Sequence, residues 1–286
     1  MTTVQGDRLK AGHNKLDGIG ALVSEGEKSP MEQLDYTLLD RQDISLTMFY
    51  PRSEWNSPPP GATDHMVPVN DEIVVSCRFY PCDKEAPSIL YFHGNGEVVC
   101  DYDDLAPIYN HSRLNLFVAD YRGYGASTGD PRFSTMVSDA HGIYSYFRNL
   151  LTEGQFVDRL YVMGRSLGAI SALEVAAHYQ EQLGGLILES GAGGGGWARW
   201  ITASDDQALW DELQRRHLAK LQSIRLPLLT IHGEHDELIP LERALELRDL
   251  LSSEIKELLI VPGAGHNDIF SVGMQSYMEA LQSFAD

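Results

Sequence analysis

One short stretch constrains the fold of this chain more than any other: Leu160-Tyr161-Val162-Met163-Gly164-Arg165-Ser166-Leu167-Gly168. An apolar run rich in β-formers leads into a Gly-x-Ser-x-Gly turn, and a small-residue helical stretch follows at once. A serine at the apex of so sharp a turn sits in strained φ/ψ space, and side chains two residues to either side would collide. Gly164 and Gly168 remove those collisions, so Ser166 can present its Oγ above a sheet. The pattern predicts strand, tight turn and buried helix, in that order.

The chain around this stretch alternates short apolar runs with helix-length segments. The runs are Ile89 to Phe92, Leu116 to Ala119, Leu160 to Met163, Leu186 to Leu188, Leu228 to Ile231 and Leu258 to Val261. Their continuity reads as strands buried on both faces of a parallel sheet. Helices are predicted at about 101–112, 133–151, 166–182, 240–252 and 270–284. Repeated β–α units imply right-handed crossovers and a doubly wound, mostly parallel sheet in a single α/β domain over residues 35–286. Two antiparallel strands should precede it, Ile44 to Tyr50 and Ile73 to Tyr80, each closed by proline. Residues 1–34 are polar and read as an N-terminal arm.

Open parallel sheets bind ligands at the carboxyl ends of their strands, and polar residues of this chain cluster there. His93-Gly94-Asn95-Gly96 follows the third strand, Asp120-Tyr121-Arg122-Gly123 the fourth and Ser166 the fifth. Glu189 ends the sixth, Asp236 follows the seventh and His266 the eighth. A serine hydroxyl needs a base to take its proton, and histidine is the natural one. Among the 10 histidines, His266 lies in a glycine-rich loop, Gly263-Ala264-Gly265-His266, that lets an imidazole reach inward. His93 is expected to hold its own loop by hydrogen bonding. His232 and His235 should serve the turn around the acid, and His178 and His217 should lie on helix surfaces. Asp236 is the candidate acid that orients the imidazole, with Glu189 as the alternative and Asp268 as a helix cap. The backbone N–H groups of Leu167 and Asn95 are the candidate oxyanion donors.

Between the sixth and seventh strands, about 191–225, there is room only for a short lid: a glycine-rich loop and one helix near Ser204 to Ser223. Leu209, Leu213, His217, Leu218 and Leu221 give that helix an apolar stripe suited to the rim of the sheet. Trp197 and Trp200, behind the glycine run, either line an acyl-binding mouth or pack their rings on the core.

The 41 acidic against 22 basic residues give a net charge of −19, which disfavours nucleic acid and anionic membranes as partners. The 3 cysteines, Cys77, Cys82 and Cys100, are too few and too scattered for a disulfide framework, and no Cys/His spacing suggests a metal. Residues 1–30 hold no apolar stretch of the length a signal peptide or membrane span needs. The expected setting is cytoplasmic, with a small acyl substrate as partner, no membrane insertion and no cofactor. The residues carry no signal for an oligomeric state.

From about residue 70 to 286 the motifs together resemble the α/β-hydrolase superfamily, and within it the small-lid serine hydrolases. The matching pieces are His93-Gly94-Asn95-Gly96-Glu97, Asp120 to Ser127, Gly164-Arg165-Ser166-Leu167-Gly168, His232-Gly233-Glu234-His235-Asp236 and Gly263 to Asp268. The chain order Ser166, Asp236, His266 agrees with that arrangement. The resemblance implies hydrolysis of a carboxylic ester or thioester through an acyl-enzyme on Ser166. Acyl transfer or peptide hydrolysis by the same residues, and a non-catalytic binding protein on the same scaffold, are the alternatives it leaves. Relatives that remove fatty acyl groups from protein cysteines carry an N-terminal cysteine cluster, which is not found here.

Overall fold

The computed structural model describes residues 34–191 and 205–286. Its centre is an eight-stranded sheet: β1 (Thr63–Pro68), β2 (Val74–Tyr80), β3 (Ser88–Phe92), β4 (Asn115–Ala119), β5 (Leu160–Arg165), β6 (Gly185–Glu189), β7 (Leu228–Gly233) and β8 (Lys256–Val261). The spatial order is β1-β2-β4-β3-β5-β6-β7-β8. β2 runs antiparallel to both β1 and β4, and every neighbour from β4 to β8 is parallel. This is the doubly wound, mostly parallel sheet expected from the apolar runs.

The runs lack alternation because both faces of the strands are covered. Leu90, Phe92, Phe117, Ala119, Leu160 and Val162 face one layer, formed by α3 (Phe133–Glu153), α4 (Ala169–His178), α5 (Gln207–Gln222) and α6 (Leu241–Leu250). Their strand neighbours Ile89, Tyr91, Leu116, Val118, Tyr161 and Met163 face α2 (Ala106–His111) and α7 (Ile269–Ala285). The period-2 pleat sends alternate residues into two separate apolar cores. Phe117 stacks on Phe147 at 4.2 Å between ring centroids, in the centre of the first core.

The N-terminal part departs from expectation. The segment Ile44 to Tyr50 is not a strand; Gln42–Met48 forms helix α1. Ile44 is buried and Leu46 is 70% exposed, so the apolar spacing that counts is 44 and 48, not simple alternation. α1 and the preceding Leu34, Tyr36 and Leu39 pack on Phe133, Val137, Trp210 and Leu213 in a third, smaller cluster. The strand that pairs with β2 is instead β1, in which only Val67 is buried.

α5 also shows a different face from the one expected. Trp210, Leu213, His217, Lys220 and Leu221 are buried, while Leu209 is half exposed. The helix lies in the layer with α4 and α6, and its end feeds Leu221, Ile224 and Leu226 into the main core. His217, expected at the surface, is buried with Nδ1 3.0 Å from the Tyr36 hydroxyl.

Candidate active site

Strand order reverses about β3: the chain leaves β3 for β4 on one side and returns to β5 on the other. The turns after β3 and β5 therefore diverge at the carboxyl end of the sheet and open a crevice between them. Ser166 stands at that point, directly after β5, with φ +50°. A left-handed non-glycine residue costs roughly 1–3 kcal/mol, and the flanking packing enforces it here. A Cβ on Gly164 would come within 2.6 Å of the Gly168 carbonyl oxygen and 2.7 Å of Ala169 Cα. A Cβ on Gly168 would come within 2.7 Å of the His93 carbonyl oxygen. Gly164 thus closes the elbow on itself, and Gly168 seats it against the end of β3.

Ser166 Oγ lies 2.9 Å from His266 Nε2, and His266 Nδ1 lies 2.8 Å from Asp236 Oδ2. All three side chains are largely buried, and Asp236 also accepts the backbone N–H groups of Leu238 at 3.0 Å and Ile239 at 2.8 Å. Burial works to raise the Asp236 carboxyl, but the Ile239 N–H and the His266 imidazole outweigh it and hold it below the ordinary carboxylate range. An ionised Asp236 has only acceptors to offer, so Nδ1 must carry a proton and Nε2 is left with its lone pair toward the serine hydroxyl.

Leu167 follows Ser166 in a short 3₁₀ turn that leads into α4. Across the crevice, the Asn95 side chain is taken up in bracing: Nδ2 donates to the Met48 carbonyl at 2.7 Å, and Oδ1 accepts from Tyr50 N–H at 3.0 Å and Tyr124 OH at 2.8 Å. Its backbone N–H has no partner among the described residues. His93 behaves as expected, with Nδ1 2.8 Å from the Gly94 carbonyl and Nε2 3.1 Å from Asp120 Oδ1, both side chains fully buried.

A family model described as serine aminopeptidase, S33 (Hydrolase_4) matches residues 83–210. Human alpha/beta hydrolase domain-containing protein 17B is 29% identical over 215 residues, covering 73% of this chain and 70% of that protein. Among solved structures, the Pyrococcus furiosus esterase Pf2001 superposes with a TM-score of 0.63 at 17% identity, over 82% of this chain and 97% of that one. Est1E from Butyrivibrio proteoclasticus, solved with ferulic acid bound, gives 0.60 at 20% identity, over 75% and 95%. The chain has the α/β-hydrolase fold.

The alternative acid, Glu189, stands away from the imidazole. Its carboxylate meets Arg165 Nε at 3.1 Å and Tyr277 OH at 2.6 Å, and burial raises it above the usual carboxylate value despite both partners. Asp268 stands at the start of α7, but its side chain accepts the Gly265 N–H at 2.6 Å and so braces the loop that carries His266. His232 supports the acid loop by bonding the Ile239 carbonyl at 2.9 Å, and His235 is exposed. Trp197 and Trp200 lie outside the described residues. No described helix is long and apolar enough to cross a membrane.

Two groupings escaped the sequence reading. Arg165 and Glu97 form an ion pair beside the elbow, although each was visible only as a motif position. On the flank of the sheet, His141 from α3 meets Glu174 and His178 from α4, a set able to hold a metal ion. The i,i+4 spacing of Glu174 and His178 was its one sequence signal. Glu174 is already engaged there by Lys220 Nζ at 2.5 Å, and its carboxyl is pulled down to about 2 against the effect of burial by His141 and Lys220.

Proposed function

We propose that this protein is a serine hydrolase that cleaves carboxylic esters or thioesters through an acyl-enzyme on Ser166. The observation that carries the reading is the unbroken hydrogen-bond line from Ser166 Oγ through His266 to Asp236, at 2.9 and 2.8 Å. In the first half-reaction Ser166 Oγ attacks the acyl carbon as His266 Nε2 takes its proton, and Asp236 stabilises the imidazolium. Negative charge develops on the acyl oxygen between the Leu167 and Asn95 N–H groups. His266 then returns the proton to the leaving alcohol or thiol. In the second half-reaction water attacks the acyl-enzyme with His266 as base again, and Ser166 is regenerated. The substrate is a small acyl compound, and the protein acts in the cytoplasm without a cofactor.

The test is labelling of the purified protein by a fluorophosphonate, with Ser166→Ala as control. Rapid labelling that is lost in the variant supports the reading; no labelling of the wild type overturns it. A panel of esters, thioesters and anilides of graded acyl length then separates ester or thioester cleavage from peptidase chemistry, the reading that the serine aminopeptidase description favours. Adding a primary alcohol as acceptor and following the transferred acyl group tests for acyl transfer.

A further inference from the structure

Arg165 is the residue between Gly164 and the nucleophile, and its side chain is 11% exposed. It is in register with Glu189 on the parallel pair β5 and β6. The guanidinium is used on every side. Nε donates to Glu189 Oε1 at 3.1 Å, and Nη1 pairs with Glu97 Oε1. Nη2 donates to the His266 carbonyl at 3.0 Å and to Asn267 Oδ1 at 3.1 Å. These acceptors belong to separate segments: the end of β6, the loop after β3 and the loop after β8.

Each carboxylate passes the connection on. The second oxygen of Glu97 accepts the Gly94 N–H at 2.8 Å and Tyr102 OH at 2.7 Å. The second oxygen of Glu189 accepts Tyr277 OH, whose oxygen lies 3.1 Å from that of Tyr109. One side chain therefore holds the backbone of the general base directly. Through a single carboxylate it also holds the residue before the oxyanion donor Asn95.

We propose that Arg165 is a positioning residue that fixes the spacing between the His266 loop and the Gly94–Asn95 turn about Ser166. The proposal rests on the serine-hydrolase reading above. Stability alone gives no reason for this arrangement, because a buried ion pair is often replaced by well-packed apolar residues without loss. Catalysis gives one: a misplacement of about 1 Å can cost on the order of 100-fold in rate. The planar fork suits the task, since its donors leave in fixed directions toward acceptors on different loops. A lysine would keep the charge but could not span them.

The experiment compares wild type with Arg165→Lys, Arg165→Met, Glu97→Gln, the double variant Arg165→Met/Glu97→Gln, and Ser166→Ala. Readouts are the fluorophosphonate labelling rate, kcat and KM on a soluble ester, and the thermal midpoint. Both Arg165 variants should lose about 10–100-fold in kcat and in labelling rate, with KM little changed. The double variant should be no slower than its worse single, because both residues act in one chain of contacts. A Lys variant with wild-type rates overturns the proposal, as do losses that multiply in the double variant or fall on KM. If Arg165→Met does not fold, Arg165→Lys, which retains the buried charge, decides alone. Wild type that resists labelling, or labels equally without Ser166, overturns the hydrolase reading and this proposal with it. Labelled wild type with unaffected Arg165 variants overturns this proposal only.

Discussion

Gly168→Ala isolates the seating of the nucleophile turn against the end of β3. Gly168 has φ −62° and ψ −18°, a conformation open to alanine, so backbone strain is not at issue and only space is. The added Cβ would lie 2.6 Å from Phe92 C and 2.7 Å from the His93 carbonyl oxygen, where ordinary contact begins at 3.4 Å. The Phe92 carbonyl oxygen would lie closer still, so the shortfall exceeds 0.8 Å, and the obstructing atoms are backbone, which cannot rotate aside. The His93 carbonyl is further pinned by Tyr121 OH at 2.6 Å. The elbow and the turn carrying Asn95 must therefore separate by most of an ångström. Overpacking of this kind costs about 1–3 kcal/mol, or roughly 2–10 °C in Tm for a domain near this size. On the mechanism proposed above, a shift that large between Ser166 and the Asn95 N–H should lower kcat/KM on the order of 100-fold. The control is Gly142→Ala in α3, where the nearest atom to a new Cβ is Val69 Cγ1 at an ordinary 3.6 Å. It should gain about 0.5–1 kcal/mol from helix propensity with activity unchanged. Melting curves and ester turnover read both variants. A Gly168→Ala protein that melts and turns over like wild type refutes the reasoning.

Three further outcomes follow from buried charge. Asp236→Asn should lower kcat by about 10⁴ through the wrong imidazole tautomer, and steady-state kinetics showing a larger loss in Glu189→Gln would reverse the assignment of the acid. Lys220→Met leaves Glu174 buried without its ammonium partner and should cost about 3–5 kcal/mol in urea unfolding; Glu174→Gln/Lys220→Met together should cost less than Lys220→Met alone, and an additive result rules out the pair as the cause. Burial works to lower the His93 imidazole, yet Asp120 at 3.1 Å prevails and raises it above its ordinary value. That contribution to stability is complete below about pH 6.5 and is lost as pH climbs through the higher folded value. The stability difference between wild type and His93→Gln, from urea midpoints at pH 6 to 9, should therefore shrink with rising pH, and a flat difference contradicts it.

The parallel half of the sheet was legible because burial on both faces leaves continuous apolar runs, and every run from Ile89 to Val261 became a strand. The N-terminal part was not. Ile44, Leu46 and Met48 fit a two-residue period, but Ile44 and Met48 also fit one helical turn, and packing on Phe133 and Trp210 chose the helix. β1 gave no signal since it is an edge strand with a single buried residue. Ser166 and His266 could be singled out because glycines mark the loops that carry them. The Arg165–Glu97 pair joins residues 68 positions apart, and Glu174 meets Lys220 across 46. Local pattern cannot report such partners. The same limit hid the burial of His217, which depends on Tyr36 arriving from a different segment.

The two acids that the sequence offered to His266 are separated by where the pleat stops. Glu189 is the last residue of β6 and still obeys the strand's alternation. Its side chain follows Ile187 to the face covered by α2 and α7, where Tyr277 and the cross-strand Arg165 wait for it. It cannot turn to the imidazole without breaking register with β5. Asp236 lies three residues beyond Gly233, the end of β7, so no pleat dictates its direction. Its loop is free to fold back: the Asp236 N–H reaches the Gly233 carbonyl at 3.4 Å, and the His235 N–H reaches Ala264 in the histidine loop at 2.8 Å. That backbone contact ties the acid loop to the histidine loop before any side chain takes part. A carboxylate within a strand is thus available to brace the neighbouring strand through Arg165, and one on the loop past a strand end is available to meet the His266 imidazole. Position relative to the last ladder bond separates those roles, which the residue type alone leaves equal.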